Sequence, residues 1–233
     1  MKSTAEQVAE ALASLERQGT KRVREDMLTR YGITAPKAYG VPMSAIQRLG
    51  KQLGRDHELA AALWATGWYE ARTLAALVEE PAGVTAAQMD RWARDFDNWA
   101  ICDTVCFHLF DRTPYPWTKV APWSKRREEF VKRAAFALLA SLAAHDRSAD
   151  DEQFLRRLPL VECAAVDERN FVKKGVSWAL RMMGRRSRAL NAACLASARR
   201  LVASDQPAAR WIGRQAEKEL AGVRRGSAAA PAR

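Results

Sequence analysis

One four-residue pattern returns three times in the second half of this chain at an almost constant interval. Phe130-Val131-Lys132-Arg133, Phe171-Val172-Lys173-Lys174 and Trp211-Ile212-Gly213-Arg214 share the order aromatic, branched aliphatic, any residue, base, and their starts lie 41 and 40 residues apart. A period of about 40 residues holds one pair of antiparallel helices and its turns, and such pairs bury their apolar faces only by stacking on their neighbours. The repeat therefore predicts an all-α fold, a solenoid of HEAT-like helix pairs. A curved array of this kind would collect one base per repeat along its concave face, so a basic cleft is expected there.

The remaining periodicity agrees with that reading. Residues 4–17 place Val8, Leu12 and Leu15 on one face of a helix, and apolar residues recur with the same period over about 42–54, 56–66, 68–79, 86–95, 99–111, 126–145, 170–183, 188–203 and 207–221. Between them lie short stretches of helix breakers: Gly19-Thr20, Gly32 with Pro36, Pro81-Ala82-Gly83, residues 95–98, the stretch from Pro114 to Pro122, Pro159, and Asp205-Gln206-Pro207. No alternating strand pattern of useful length occurs. We expect one HEAT-like domain over residues 1–221, followed by a basic, disordered tail over 222–233.

The net charge of +11 is unevenly placed. Residues 1–124 carry 15 basic and 15 acidic side chains, whereas residues 125–233 carry 23 and 12. A solvated helical surface mixes the two signs, so the excess points to a polyanionic partner, nucleic acid above all. A membrane surface fits less well, because the basic helices lack a broad apolar face, and no run of about 18 apolar residues is present. The start of the chain, Met1 to Gln7, leads into an amphipathic stretch rather than a signal segment, and four scattered cysteines make no disulfide framework. These features predict a soluble, unprocessed, cytoplasmic protein associated with the nucleoid and acting as a monomer.

Candidate chemistry is densest at Asp97-Asn98-Trp99-Ala100-Ile101-Cys102-Asp103. With Asp97 or Asn98 as N-cap, Trp99 enters the first turn of a helix and Asp103 follows four residues later on the same face. Trp92, Phe96 and Trp99 also follow helical spacing and can be a core stripe. Asp103 does not fit such a stripe, since it is bracketed by Ile101-Cys102 and Val105-Cys106, where a carboxylate needs a partner or a cleft. Lys132 and Arg133 open an apolar helix, so one of them can pair with Asp103 or bind phosphate. Lys173 and Lys174 precede Trp178 and Arg181, while Arg156, Arg157 and Arg214 are further phosphate candidates. Cys102, Cys106 and His108 lack zinc-finger spacing, and no phosphate loop, nucleophile elbow or His-Glu-x-x-His helix occurs, so neither metal nor cofactor is expected.

The helical repeat background, Asp97-Asn98-Trp99 with Asp103, Arg133-Ala134-Ala135, and Lys174-Gly175-Val176-Ser177-Trp178-Ala179-Leu180-Arg181 together resemble the AlkD-type DNA alkylation repair glycosylases over about residues 5–220. Tyr39-Gly40-Val41-Pro42 with Ile46-Gln47-Arg48-Leu49 resembles the N-terminal helix-turn pattern of that family. The resemblance implies that Asp103, Arg133, Trp99 and Trp178 line a DNA-binding cleft and that either Tyr31 or Tyr39 supplies a further contact. The activity it implies is metal-independent hydrolysis of the N-glycosidic bond of N3- and N7-alkylated purines in duplex DNA, the first step of base excision repair. Two other readings stay open, a catalytically silent protein binding distorted or branched DNA and a scaffold for an acidic protein.

Overall fold

A computed structural model describes residues 2–226, and of these the side chains of 223–226 are left undescribed. The described residues are helical throughout, with short connections, and form two compact units that divide at Pro116 and Trp117.

The first unit contains α1 (Thr4–Gln18), α2 (Lys21–Thr29), α3 (Met43–Leu53), α4 (His57–Ala65), α5 (Tyr69–Val78), α6 (Ala86–Arg94) and α7 (Trp99–His108), with 3-10 turns at Pro81–Gly83 and Phe110–Arg112. Their starts obey capping chemistry. Ser3 and Glu6 form a reciprocal capping box on α1, and the side chains of Thr20, Asp56, Thr85 and Asn98 each accept a backbone N–H from the first turn that follows. Helix α5 is the spine of this unit, packed against α3, α4 and α7, with Ala71, Leu74, Ala75 and Val78 wholly buried. Two buried glutamates bind irregular segments to it. Glu70 accepts the backbone N–H groups of Tyr39, Gly40 and Val41 at 3.1, 2.7 and 3.2 Å. Glu79 accepts from Gln88 and from the Glu80 N–H and meets His57 Nδ1 at 2.7 Å. His57, which its isolated position in the sequence suggests is simply solvated, is thus fastened to a buried carboxylate.

The second unit contains α8 (Pro116–Ser124), α9 (Glu129–His145), α10 (Asp151–Leu155), α11 (Leu158–Ala164), α12 (Asn170–Arg186), α13 (Arg188–Val202) and α14 (Pro207–Gly226). Helix α12 is its centre and packs against α9, α13 and α14. Val172, Val176, Ala179, Leu180 and Met183 are fully buried at helical spacing. Each such Val or Leu contributes about 1.5–3 kcal/mol by leaving water. The three repeated tetrapeptides lie within the first two turns or so of α9, α12 and α14, and their branched residues Val131, Val172 and Ile212 all lie in the core. The period read from the sequence is a structural repeat.

Four helices depart from expectation. Helix α2 has no periodic apolar face, and only Met27 of it is buried. The stretch from Pro114 to Pro122 is no bare connection, since Pro116 begins α8 and Pro122 falls near its end. Pro159 lies at the start of α11, where a missing N–H costs nothing. Helix α14 also carries past residue 221 to Gly226, while residues 227–233 of the expected tail lie outside the described residues.

Candidate nucleic-acid interface and catalytic carboxylate

Helix α7 is aimed by its first residue pair. Asn98 is the N-cap, its Oδ1 accepting the Ile101 N–H at 3.0 Å, while its amide donates to Asp97 Oδ1 at 2.7 Å. Ile101, Cys102, Val105 and Cys106 then form the buried face, and Trp99 and Asp103 stand one turn apart on a half-buried face. Trp99 packs on a small cluster of Met27, Ile33, Ala38 and Ala100. Its indole N–H donates to the Tyr31 carbonyl at 3.0 Å. Burial, hydrogen bonding with Cys102 and the nearby carboxylates of Asp103 and Asp111 hold the Cys106 thiol well above its ordinary range. That thiol is a poor nucleophile, and the ionisable group on this face of α7 is Asp103.

The two tyrosine candidates separate clearly. Tyr39 is stacked on Trp68 with ring centres 4.0 Å apart, and its backbone is fastened to Glu70. Burial, with the Glu16 and Glu70 carboxylates nearby, raises its phenol above the ordinary value. Tyr31 instead is exposed, lies within 5.4 Å of the Arg30 guanidinium, and is joined through its carbonyl to Trp99. The structure thus ties the Tyr31 backbone to Trp99 and leaves the Tyr31 ring exposed, while the Tyr39 ring is stacked on Trp68.

In the second unit the named bases fall into two groups. Arg133 is buried, its guanidinium donating to the Phe171 carbonyl at 2.5 Å in the first turn of α12. Its side chain runs over Gly175, where an added Cβ would sit 3.3 Å from Arg133 Cγ, so glycine leaves the room the arginine needs. Lys132 pairs with Asp167 at 2.9 Å. Hydrogen bonding to Arg169, and then to Lys132, holds the Asp167 carboxyl far below its usual range. Arg157 donates to the carbonyls of Gln153 and Trp117 and lies over the Trp117 ring at 4.5 Å. Burial, with Arg156 adjacent, lowers its guanidinium pKa. Arg181 is paired with Glu219 at 2.6 Å. These four bases brace the helix stack.

The other group faces solvent. Lys174 and Arg214 are exposed, and Arg156 is exposed beside Glu152 at 2.9 Å. Lys173 is half-buried, its ammonium 5.1 Å from the centre of the Trp211 ring. Phe130 and Phe171 lie 5.4 Å apart, so the repeated aromatics of successive helix pairs approach one another. Trp178 sits half-buried in the middle of α12. Arg72 and Arg169 are bracing residues that the periodicity did not single out. Only the tertiary fold reveals that Arg72 reaches the Asp95 carbonyl and Arg169 the Arg127 carbonyl.

Among the described residues no helix is long and apolar enough to cross a membrane, and no group of three or more His, Cys, Asp or Glu side chains is placed to hold a metal ion.

Residues 11–220 match the family described as DNA alkylation repair enzyme. Among curated proteins no sequence matches the chain. A solved structure described as "a new family of proteins related to the HEAT-like repeat DNA glycosylases with affinity for branched DNA structures" is similar over 91% of this chain and 95% of its own, at a TM-score of 0.75 and 18% identity. At that identity the likeness establishes the HEAT-like repeat fold.

Proposed function

The chain belongs to the DNA alkylation repair enzyme family, and from that premise we propose that it binds duplex DNA and removes cationic N3- and N7-alkylated purines by hydrolysis. The observation that carries this reading is Asp103, a half-buried carboxylate one helical turn after an aromatic plate, Trp99. N3 or N7 alkylation leaves the purine positively charged and already a good leaving group. The glycosidic bond from C1′ to nitrogen then breaks with its electron pair moving to the base, and the sugar gains oxocarbenium character. Asp103 stabilises that cation and orients the water whose oxygen bonds to C1′; the base leaves neutral, and the proton lost by the water passes to the Asp103 carboxylate and from there to solvent. Trp99 adds the attraction of a ring face for a cation. We assign the phosphate contacts to Lys174 and Arg214, Trp178 to the DNA sugar-phosphate backbone, and Arg133 to positioning α12.

The test is release of free N7-methylguanine and N3-methyladenine from methylated duplex DNA by the purified protein. Release by the wild type and its loss in Asp103→Asn support the reading. A second reading is favoured by the described affinity of the structural neighbour for branched DNA. In it the same fold binds junctions without hydrolysis. Tight junction binding with no base released would select it.

A further inference from the structure

Helix α2 ends in an apolar tip that the proposed chemistry leaves unused. Leu28 is 60% exposed and Tyr31 48% exposed. They stand three residues apart at the same helix end. A lone exposed leucine needs no explanation, but the backbone beneath this pair is unusually well secured. The Gly32 N–H donates to the Leu28 carbonyl at 3.1 Å and the Ile33 N–H to the Met27 carbonyl at 2.7 Å. Gly32 has φ 61°. The first of these bonds is the 5→1 bond of an αL helix end with its glycine in the left-handed conformation, the second closes a wider loop around it, and Ile33 and Met27 share one buried cluster. The Trp99 indole adds a third tie at the Tyr31 carbonyl. A well-fastened backbone thus presents apolar side chains to solvent.

The surroundings select a partner. Arg24, one turn before Leu28, and Arg30 are exposed beside the tip, while Arg22 lies further back on the helix, where Lys21 meets Glu25 at 3.7 Å. Arg24, Met27, Leu28, Ile33 and Pro36 line a groove along its side. Residues 21–31 carry four cations against the two carboxylates of Glu25 and Asp26, and an apolar point flanked by exposed arginines in a net-positive helix is complementary to stacked bases framed by phosphates. Apolar wedges between base steps are an established way of gripping deformed DNA. The overall balance of the first half of the chain hides this local positive charge.

We propose that Leu28 is a wedge for DNA whose stacking is already broken, entering the gap at an abasic, bulged or branched position with the Tyr31 ring beside it. Arg24 and Arg30 meet the flanking phosphates. Intact duplex resists the wedge because its stack must first be opened. A gap imposes no such cost, so the tip selects helix defects. The inference rests on the DNA-binding part of the proposed function and is independent of hydrolysis.

The experiment measures fluorescence anisotropy of the full chain on an intact duplex and on the same duplex carrying a tetrahydrofuran abasic analogue, at one salt concentration. Wild type should favour the abasic duplex by about tenfold, the effect of one base-stacking contact. Leu28→Ser should bring that ratio close to one, and Leu28→Phe, which keeps an apolar wedge, should retain it. Thermal unfolding of both variants should match wild type because the side chain is exposed. An unaltered ratio in folded Leu28→Ser overturns the proposal. So does a wild type that binds both duplexes equally well, an outcome that leaves DNA binding intact. A wild type that binds neither duplex removes the DNA reading itself.

Discussion

Replacing Glu70 by Gln changes one oxygen to an amide and little in volume, yet it should loosen the platform on which Trp99 stands. Glu70 Oε1 accepts the N–H groups of Gly40 and Val41, and Oε2 accepts that of Tyr39. Glutamine can keep only one of these acceptor positions. If its oxygen serves Gly40 and Val41, its NH2 faces the Tyr39 N–H, donor against donor; the opposite rotamer leaves two donors opposed. A hydrogen bond to a charged group is worth about 1.5–3 kcal/mol, and the retained pair weakens when the acceptor becomes neutral. Relief of the buried charge offsets part of this, leaving a net loss of about 2 kcal/mol. Because 1.4 kcal/mol is a factor of ten, backbone amides at Tyr39, Gly40 and Val41 should exchange with deuterium roughly thirtyfold faster. The loop 39–41 follows Ala38 of the Trp99 cluster, so the disturbance should extend to Trp99. Hydrogen exchange resolved to residues, alongside urea unfolding, measures both effects. Unchanged exchange at those three amides in the variant would refute the argument, because the Glu70 bonds would then not be what holds the loop.

Three further outcomes are expected. Asp103→Asn keeps the side-chain shape and removes the charge that stabilises the sugar, so single-turnover base release should fall by roughly two to four orders of magnitude while DNA affinity holds or rises; near-normal release by the folded variant excludes the assigned role. Lys174→Glu combined with Arg214→Glu should reduce the slope of log affinity against log salt by about 1 for each phosphate no longer neutralised, as titrations at several salt concentrations would reveal. Asp167 is ionised in the folded state well below the ordinary Asp value. Its contribution is therefore fully present above the unfolded pKa of about 3.9 and is lost as pH falls from there through the depressed folded value. Asp167→Asn should flatten the acid limb of wild-type stability in that range, and an identical acid limb in both proteins counts against the pairing with Arg169 and Lys132.

Local chemistry was legible wherever one residue speaks for its own turn. The Asn98 cap, the half-buried pair Trp99 and Asp103, and the buried stripe of α12 all follow from spacing within a single helix. Helix α2 was not legible, because a helix that buries one residue has no apolar period to detect. Helix α8 was hidden by its prolines, of which Pro116 opens the helix as a first residue can, while Pro122 lies inside it, where a proline ordinarily signals a break. Glu70 and Glu79 carry little local signal, since Glu70 holds donors 29 to 31 residues away and Glu79 meets His57 22 residues away. The different settings of Tyr31 and Tyr39 depend likewise on neighbours distant in sequence, Trp99 for one and Trp68 for the other.

The repeated bases show how a correct pattern can carry a different meaning from the one expected of it. Composition made each repeat's base a phosphate ligand, but the third position of the pattern reaches from one helix pair to the next: Lys132 to Asp167 ahead of α12, and Lys173 to the Trp211 ring in α14. Arg133, at the fourth position, does the same through the Phe171 carbonyl. A stack of helix pairs needs such ties because each pair touches only its neighbours, and a long cationic side chain both packs along its stem and bonds at its tip. The array has therefore used part of its positive charge to hold itself together. Cations left to meet phosphate are those with no following pair to brace, or those turned outward, such as Lys174 and Arg214. Charge reversal at Lys132 should consequently lower stability more than it flattens salt dependence, whereas reversal at Lys174 should do the opposite.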